Sequence, residues 1–223
     1  MSNQRIIRVT GKGLIKVHPD QTRITMTLEG VYPEYAETLR HSSRDTEQLK
    51  DLLAPFGFAR SDLKTLDFRV DPSFESYKEE GIFKQRLVGY EFRHEMKVEF
   101  ASDPDQLGNV LYALANSPIR PEFCISYTVK DPEAVKNALL GKAVTDAREK
   151  AAALTQAAGT MLKDIQMIDY SWGEMELEVR PMNRSMALET CAPMPTKQCC
   201  YEMDMEPDDI EVSDTVTVVW EIA

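Results

Sequence analysis

The amino-acid sequence predicts an α+β fold: mostly antiparallel sheet of amphipathic strands, with three helices packed on one face. Three observations carry that expectation. Residues 5–31 hold two long alternating strands joined by a turn. Residues 88–100 alternate over a run far too long for a helix to mimic. Between the strands lie three segments whose apolar residues recur every three or four positions. Strand–helix–strand units in that order build layered α+β domains.

In the first strand Ile7, Val9, Gly11, Gly13, Ile15 and Val17 share a face. After the turn at His18-Pro19-Asp20, Ile24, Met26 and Leu28 repeat the alternation against Thr25, Thr27 and Glu29, which reads as a hairpin with one buried face. The first helix follows Pro33. Its packing stripe is Ala36, Leu39, Ser43, Thr46, Leu49 and Leu53, and Pro55 and Gly57 end it. Leu66, Phe68 and Val70 then alternate with Asp67, Arg69 and Asp71 as a half-buried strand. Residues 71–82, with Pro72, Gly81 and several charges, read as a solvated hairpin loop.

The next strand places Val88, Tyr90, Phe92, His94, Met96, Val98 and Phe100 on one face and Glu91, Arg93, Glu95, Lys97 and Glu99 on the other. Asp103-Pro104 starts a second helix through Leu107, Val110, Leu111 and Leu114. Phe123, Ile125, Tyr127 and Val129 form a strand. Asp131-Pro132 starts a third helix that runs to Gly159, with Val135, Leu139, Ala143, Ala147, Ala151, Leu154 and Ala158 inward. A strand covers about 164–170. Residues 172–209, rich in Met, Pro, Glu and Asp, read as an extended loop, arm or surface hairpin. Val212, Asp214, Val216, Val218, Trp220 and Ile222 make a closing strand apolar enough to require partners within a sheet.

Composition narrows the function. The 223 residues fill a single domain, with room for two lobes at about 1–101 and 102–223. Lys plus Arg number 26 and Asp plus Glu 37, so 26 − 37 gives a net charge of −11. That balance disfavours nonspecific nucleic-acid binding and docking on anionic membranes. No run approaches the ~20 apolar residues of a spanning helix. The sequence passes directly into a strand with no leader pattern, which sets a cytoplasmic expectation, or the cell envelope if a leader has been removed.

Six short motifs, in order, resemble the SIMPL domain family (DUF541). They are Val9-Thr10-Gly11-Lys12-Gly13 followed by Val17-His18-Pro19-Asp20-Gln21-Thr22; Leu87-Val88-Gly89-Tyr90; Asp131-Pro132-Glu133-Ala134; the run Ala143 to Ala151; and the run Glu211 to Val218. The resemblance implies a bacterial protein akin to envelope-associated antigens, some linked to oxidative-stress tolerance, at least one of them a ring-like oligomer. It implies no catalytic residues.

The chemistry-bearing constellations are sparse. Gly11-Lys12-Gly13 sits inside a strand rather than between strand and helix, so it reads as a bulge or close backbone approach instead of a phosphate loop. Of three histidines, His18 lies in a turn, His41 on a polar helix face and His94 on an apolar strand face. His94 reads as a satisfied core histidine, although a buried imidazole can also titrate near neutrality. His41-Ser42-Ser43-Arg44-Asp45 holds the residue types of a hydrolytic triad, but neighbours on one helix cannot converge, so it reads as solvated surface.

Four cysteines are present. Cys124 reads as a buried inert thiol. Cys191, Cys199 and Cys200, without zinc-ligand spacing, are possible redox thiols. With Met175, Met182, Met186, Met194, Met203 and Met205 they can hold a soft metal or act as oxidation sinks. The favoured reading of that stretch, with Trp172, is an adaptable contact surface for another subunit. The expectation is thus a non-enzymatic protein without cofactor or metal that associates with itself. The alternative is a thiol- and methionine-based redox or soft-metal binding protein.

Overall fold

The computed structural model describes residues 5–79, 82–170, 177–179 and 206–223. Its elements are β1 (Ile6–Val17), β2 (Gln21–Tyr32), α1 (Tyr35–Leu53), β3 (Lys64–Glu79), β4 (Ile82–Ala101), α2 (Pro104–Ala115), β5 (Glu122–Thr128), α3 (Pro132–Ala157), β6 (Leu162–Asp169), β7 (Glu178–Val179) and β8 (Ile210–Ile222). They fall into two units. One is drawn from both ends of the chain, with residues 5–20, 128–179 and 207–223; the other comes from the stretch 21–127. The α+β class and the antiparallel pairing are as the sequence predicts.

The turn at His18-Pro19-Asp20 does not close a hairpin. β1 pairs with β8 from Ile6↔Glu221 to Val17↔Ile210, whereas β2 pairs with β4 from Gln21↔Ala101 to Tyr32↔Tyr90. Alternation specifies which face of a strand is buried but not which strand lies beside it. Here β1 matches the valine face of β8, and the chain then leaves for the other unit.

In the first unit the sheet order is β1-β8-β6, so the apolar closing strand lies in the centre, as its composition requires. α3 packs on this sheet through Leu139, Ala143, Ala147, Ala151 and Thr155, one residue every four. The last of these differs from the predicted stripe, which slips to Leu154 and Ala158; Leu154 is exposed and Thr155 points inward. Gly11 and Gly13 explain the alanines opposite them. A Cβ on Gly11 would stand 2.0 Å from the Ala143 carbonyl oxygen, and one on Gly13 2.3 Å from that of Leu139. Helix backbone rests on strand backbone here, which only glycine and small helical side chains allow. Val9, Val216, Val218 and Trp220 complete this core, and Val129, Leu139, Leu177, Ile210 and Val212 form a second cluster.

In the second unit β3, β4, β2 and β5 lie side by side. Ile24, Met26, Phe92, Met96 and Val98 form the buried face, covered by Leu49 and Leu53 of α1 and by Leu107, Val110, Leu111 and Leu114 of α2. Asp103 caps α2, its carboxylate accepting from the Asp105 and Gln106 amides at 2.9 and 3.2 Å. The first half of α1 departs from the predicted stripe. Thr38 and Ser42 are buried, while Leu39 and Ser43 face out. Small hydroxylated residues fit close to the sheet, and the Thr38 hydroxyl donates to the Glu34 carbonyl at 3.0 Å.

Candidate functional site

Two features of the second unit stand out: a cleft beneath α1, and a strand pair that leaves the sheet. The cleft, about 450 Å³, is lined by Leu39, Ser42, Ser43, Thr46, Glu47 and Lys50 of α1, by Thr65 and Phe68 of β3, and by His94 of β4. His94 forms its floor and is 9% exposed. Its Nδ1 lies 3.0 Å from the Thr46 hydroxyl and its Nε2 2.8 Å from that of Thr65. The Phe68 ring meets it edge-on at 5.1 Å.

The protonation pattern follows from the donors. Thr46 gives its hydroxyl proton to the Ser42 carbonyl at 2.8 Å, so it accepts from the ring. Nδ1 therefore carries the proton and Nε2 accepts from Thr65. A hydroxyl on an imidazole, itself oriented by a third group, has the outline of a nucleophile and base. The electrostatics oppose that role. Burial lowers the His94 pKa, and the Lys50 ammonium lowers it further. Among the described residues no carboxylate bonds to the ring to stabilise an imidazolium, and Glu47 is engaged with Lys50 at 2.9 Å. His94 is the satisfied core histidine that the sequence favours.

The second feature is the far end of β3 and β4. Within the predicted solvated loop at 71–82, residues 71–79 and 82 are instead strand, with pairs running from Phe74↔Leu87 to Glu79↔Ile82. β2 stops at Tyr32↔Tyr90, so this ribbon extends past the sheet. A register shift at Ser73/Phe74 and the left-handed Gly89 (φ 155°) mark its root. There a Cβ on Gly89 would meet the Tyr32 carbonyl oxygen at 2.3 Å. Phe74, Ile82, Phe83 and Leu87 are 55%, 64%, 77% and 51% exposed. Val88, assigned by its alternation to the buried face of β4, is exposed as well, because it lies beyond the sheet. Glu75 pairs with Arg86 at 2.8 Å, and cations cover aromatic rings in two places, Lys78 on Phe83 and Arg86 on Tyr77. Composition hid this ribbon: its charges and Pro72 suggest a loop, yet Phe74, Tyr77, Ile82, Phe83, Leu87 and Val88 are strand formers.

The remaining candidates disperse. Gly11-Lys12-Gly13 is strand backbone pressed on α3, as its context suggests; the Lys12 amide donates to Asp146 at 2.7 Å. Lys150 and that amide hold the Asp146 carboxyl below its usual range. His18 reaches Asp209 at 3.2 Å on the surface. His41 stacks on Tyr32 with ring centres 3.9 Å apart, and Ser42 is buried, so the 41–45 run is less solvated than its residue types suggest, and it does not converge. Cys124 is exposed rather than buried, since only the second half of β5 turns inward. Cys191, Cys199, Cys200, Trp172 and the methionines between 175 and 205 lie outside the described residues. Among the described residues no three His, Cys, Asp or Glu side chains gather as metal ligands, and no helix is long and apolar enough to cross a membrane.

The second unit thus shows a buried histidine bonded to two threonines and an exposed apolar ribbon. The SIMPL family model, described as "Protein of unknown function (DUF541)", matches residues 7–220, and the chain belongs to that family. No curated protein matches it. Among solved structures it is similar to CutA from Synechococcus elongatus, with 14% identity over 58% of this chain and 94% of the other, at a TM-score of 0.21. It is also similar to the regulatory subunit of aspartate kinase from Thermus flavus, with 11% identity over 96% and 89%, at a TM-score of 0.18. Likeness at that level carries no argument about either fold or role.

Proposed function

We propose that the chain is a non-catalytic protein whose role depends on association with further copies of itself. The ribbon formed by residues 74–79 and 82–89 carries this reading. A two-stranded ribbon standing alone in water is marginal. This one nonetheless presents Phe74, Ile82, Phe83 and Leu87 to solvent, side chains whose burial contributes about 25 cal/mol per Å². An apolar surface of that kind on a strongly charged chain marks a contact site.

Absolute mass by light scattering after size exclusion, under reducing conditions, tests the reading. The expected result is a discrete species of two or more chains. A mass of 25.3 kDa at every concentration loaded overturns it.

A further inference from the structure

The cleft beneath α1 has a direction. Leu39, Ser42, Ser43, Thr46, Glu47 and Lys50 border it at the three- and one-residue steps of a single helix face. At about 1.5 Å per residue, that face runs about 16 Å from leucine to lysine. An apolar end, a hydroxyl-lined middle and a cationic end follow one another. Opposite α1, Phe68 of β3 adds to the apolar lining and pairs with His94 in the ladder. Leu39 and Phe68 stay 38% and 44% exposed. A volume of about 450 Å³ with mostly apolar walls and a few polar groups is that of a small-molecule site.

Polar groups along this face keep unused bonding capacity. Ser42 is 2% exposed, yet its hydroxyl makes no hydrogen bond among the described residues; Thr46 takes only its backbone carbonyl. A hydroxyl in that state is costly unless something in the cleft meets it. Lys50 gives one of its ammonium donors to Glu47 at 2.9 Å. The second Glu47 oxygen is held by Arg60, which also binds Asp51 at 2.6 Å. The acid is thus engaged on both oxygens, and the lysine keeps donors to spare. The Lys50 charge is felt at the floor, where it adds to burial in lowering the His94 pKa. His94 itself has both ring nitrogens bonded to threonines, so recognition falls to Ser42, Ser43 and Lys50.

We propose that the cleft binds a small elongated carboxylate of the N-acyl amino acid type. The order of groups along α1 sets the order in the ligand. The carboxylate accepts from Lys50, the amide bonds the Ser42 hydroxyl, and the apolar acyl group lies against Leu39 and Phe68. Charge-assisted bonding fixes one end and apolar burial the other. This reading does not depend on self-association.

Calorimetric titration of the full-length chain tests it with benzoylglycine as the probe. Saturable binding is expected, weakened about tenfold or more by Lys50→Met. Benzoylglycinamide, which lacks the charge, should bind weakly to the parent and equally to Lys50→Met. Phenylbutyrate replaces the amide by two methylenes; it should bind more weakly than benzoylglycine and be indifferent to Ser42→Ala, which weakens benzoylglycine. Ser43→Phe, at an exposed position, fills the cleft and should abolish binding of all three. It carries the test alone if circular dichroism shows that either other variant fails to fold. No saturable heat from benzoylglycine at about 10 mM overturns the proposal. Binding that survives Ser43→Phe lies elsewhere and overturns it too. Benzoylglycinamide binding as tightly as the acid overturns the carboxylate, and phenylbutyrate binding as tightly overturns the amide.

Discussion

Replacing Gly11 by alanine tests the seam between β1 and α3. The added methyl would lie 2.0 Å from the Ala143 carbonyl oxygen, 2.5 Å from the Ala147 nitrogen and 2.7 Å from the Ala147 Cβ. Two of the three obstacles are backbone, so no rotamer change relieves them. Reaching even 3.0 Å, below which real Cβ contacts essentially never fall, requires a retreat of 3.0 − 2.0 = 1.0 Å. A gap of about 1 Å forfeits a quarter to a half of each dispersion contact across it. That loss is shared by Val9, Ala143, Ala147, Ala151, Val216 and Val218, all within one buried cluster. The expected cost is about 3 kcal/mol or more, at or beyond the upper end of ordinary overpacking. Urea unfolding followed by circular dichroism measures it. Gly141→Ala is the control: its Cβ would meet nothing within 4 Å, and mid-helix alanine adds about 0.5–1 kcal/mol. A Gly11→Ala chain within about 1 kcal/mol of the parent, with the control behaving as expected, would refute the close-packed seam.

Three further outcomes follow from the second unit. Asp103→Ala removes two cap hydrogen bonds and should cost about 1 kcal/mol in urea, whereas a neutral change would mean the cap is replaced by water. His94 is held below the ordinary imidazole pKa of about 6.5, by burial and then by Lys50, so the unfolded chain binds its proton at higher pH than the folded one. Its contribution is therefore complete above about pH 6.5 and is lost as pH falls from there toward the folded value; stability should drop with acidification through that range, and less steeply in His94→Gln. Equal slopes in the two proteins would contradict that assignment. Exchanging residues 74–88 for an Asn-Gly turn should lower the solution mass to one chain and leave the unfolding midpoint within about 2 °C, because every residue of the main core cluster lies outside the segment. Assembly that survives the exchange would detach self-association from the ribbon.

Strand and helix placement was legible because each face is written in its own period. β8 alternates valine with polar residues and occupies the centre of its sheet. Leu107, Val110, Leu111 and Leu114 are all buried in α2. The errors arose where side-chain type and position diverge. Leu39 and Leu154 are apolar yet exposed, because Thr38 and Thr155 satisfy their hydroxyls on helix carbonyls and can turn inward. The partner of β1 was illegible, since period two carries no information about neighbours as distant in the chain as Ile6 and Glu221. The ribbon was missed for the opposite reason. Its charges and proline resemble a loop, while the backbone ladder and the cross-strand pairs that hold it are set by register rather than composition. His94 was correctly placed, but the two threonines that bond it come from α1 and β3, and no spacing in the sequence announces that meeting.

The pairing of β1 with β8 also constrains how the chain acquires its structure. During synthesis Ile6 emerges early and must wait for Glu221, its partner in the ladder. The stretch 21–127 has its own core and can fold in the interval. The first unit cannot: its central strand, β8, is made only after that stretch. Until then β1 offers an unpaired edge, and its exposed-face Lys12 and Lys16 discourage stray association. Such long-range closure is intrinsically slow, so refolding should show two phases, with the slower one reporting Trp220 entering the core beside α3.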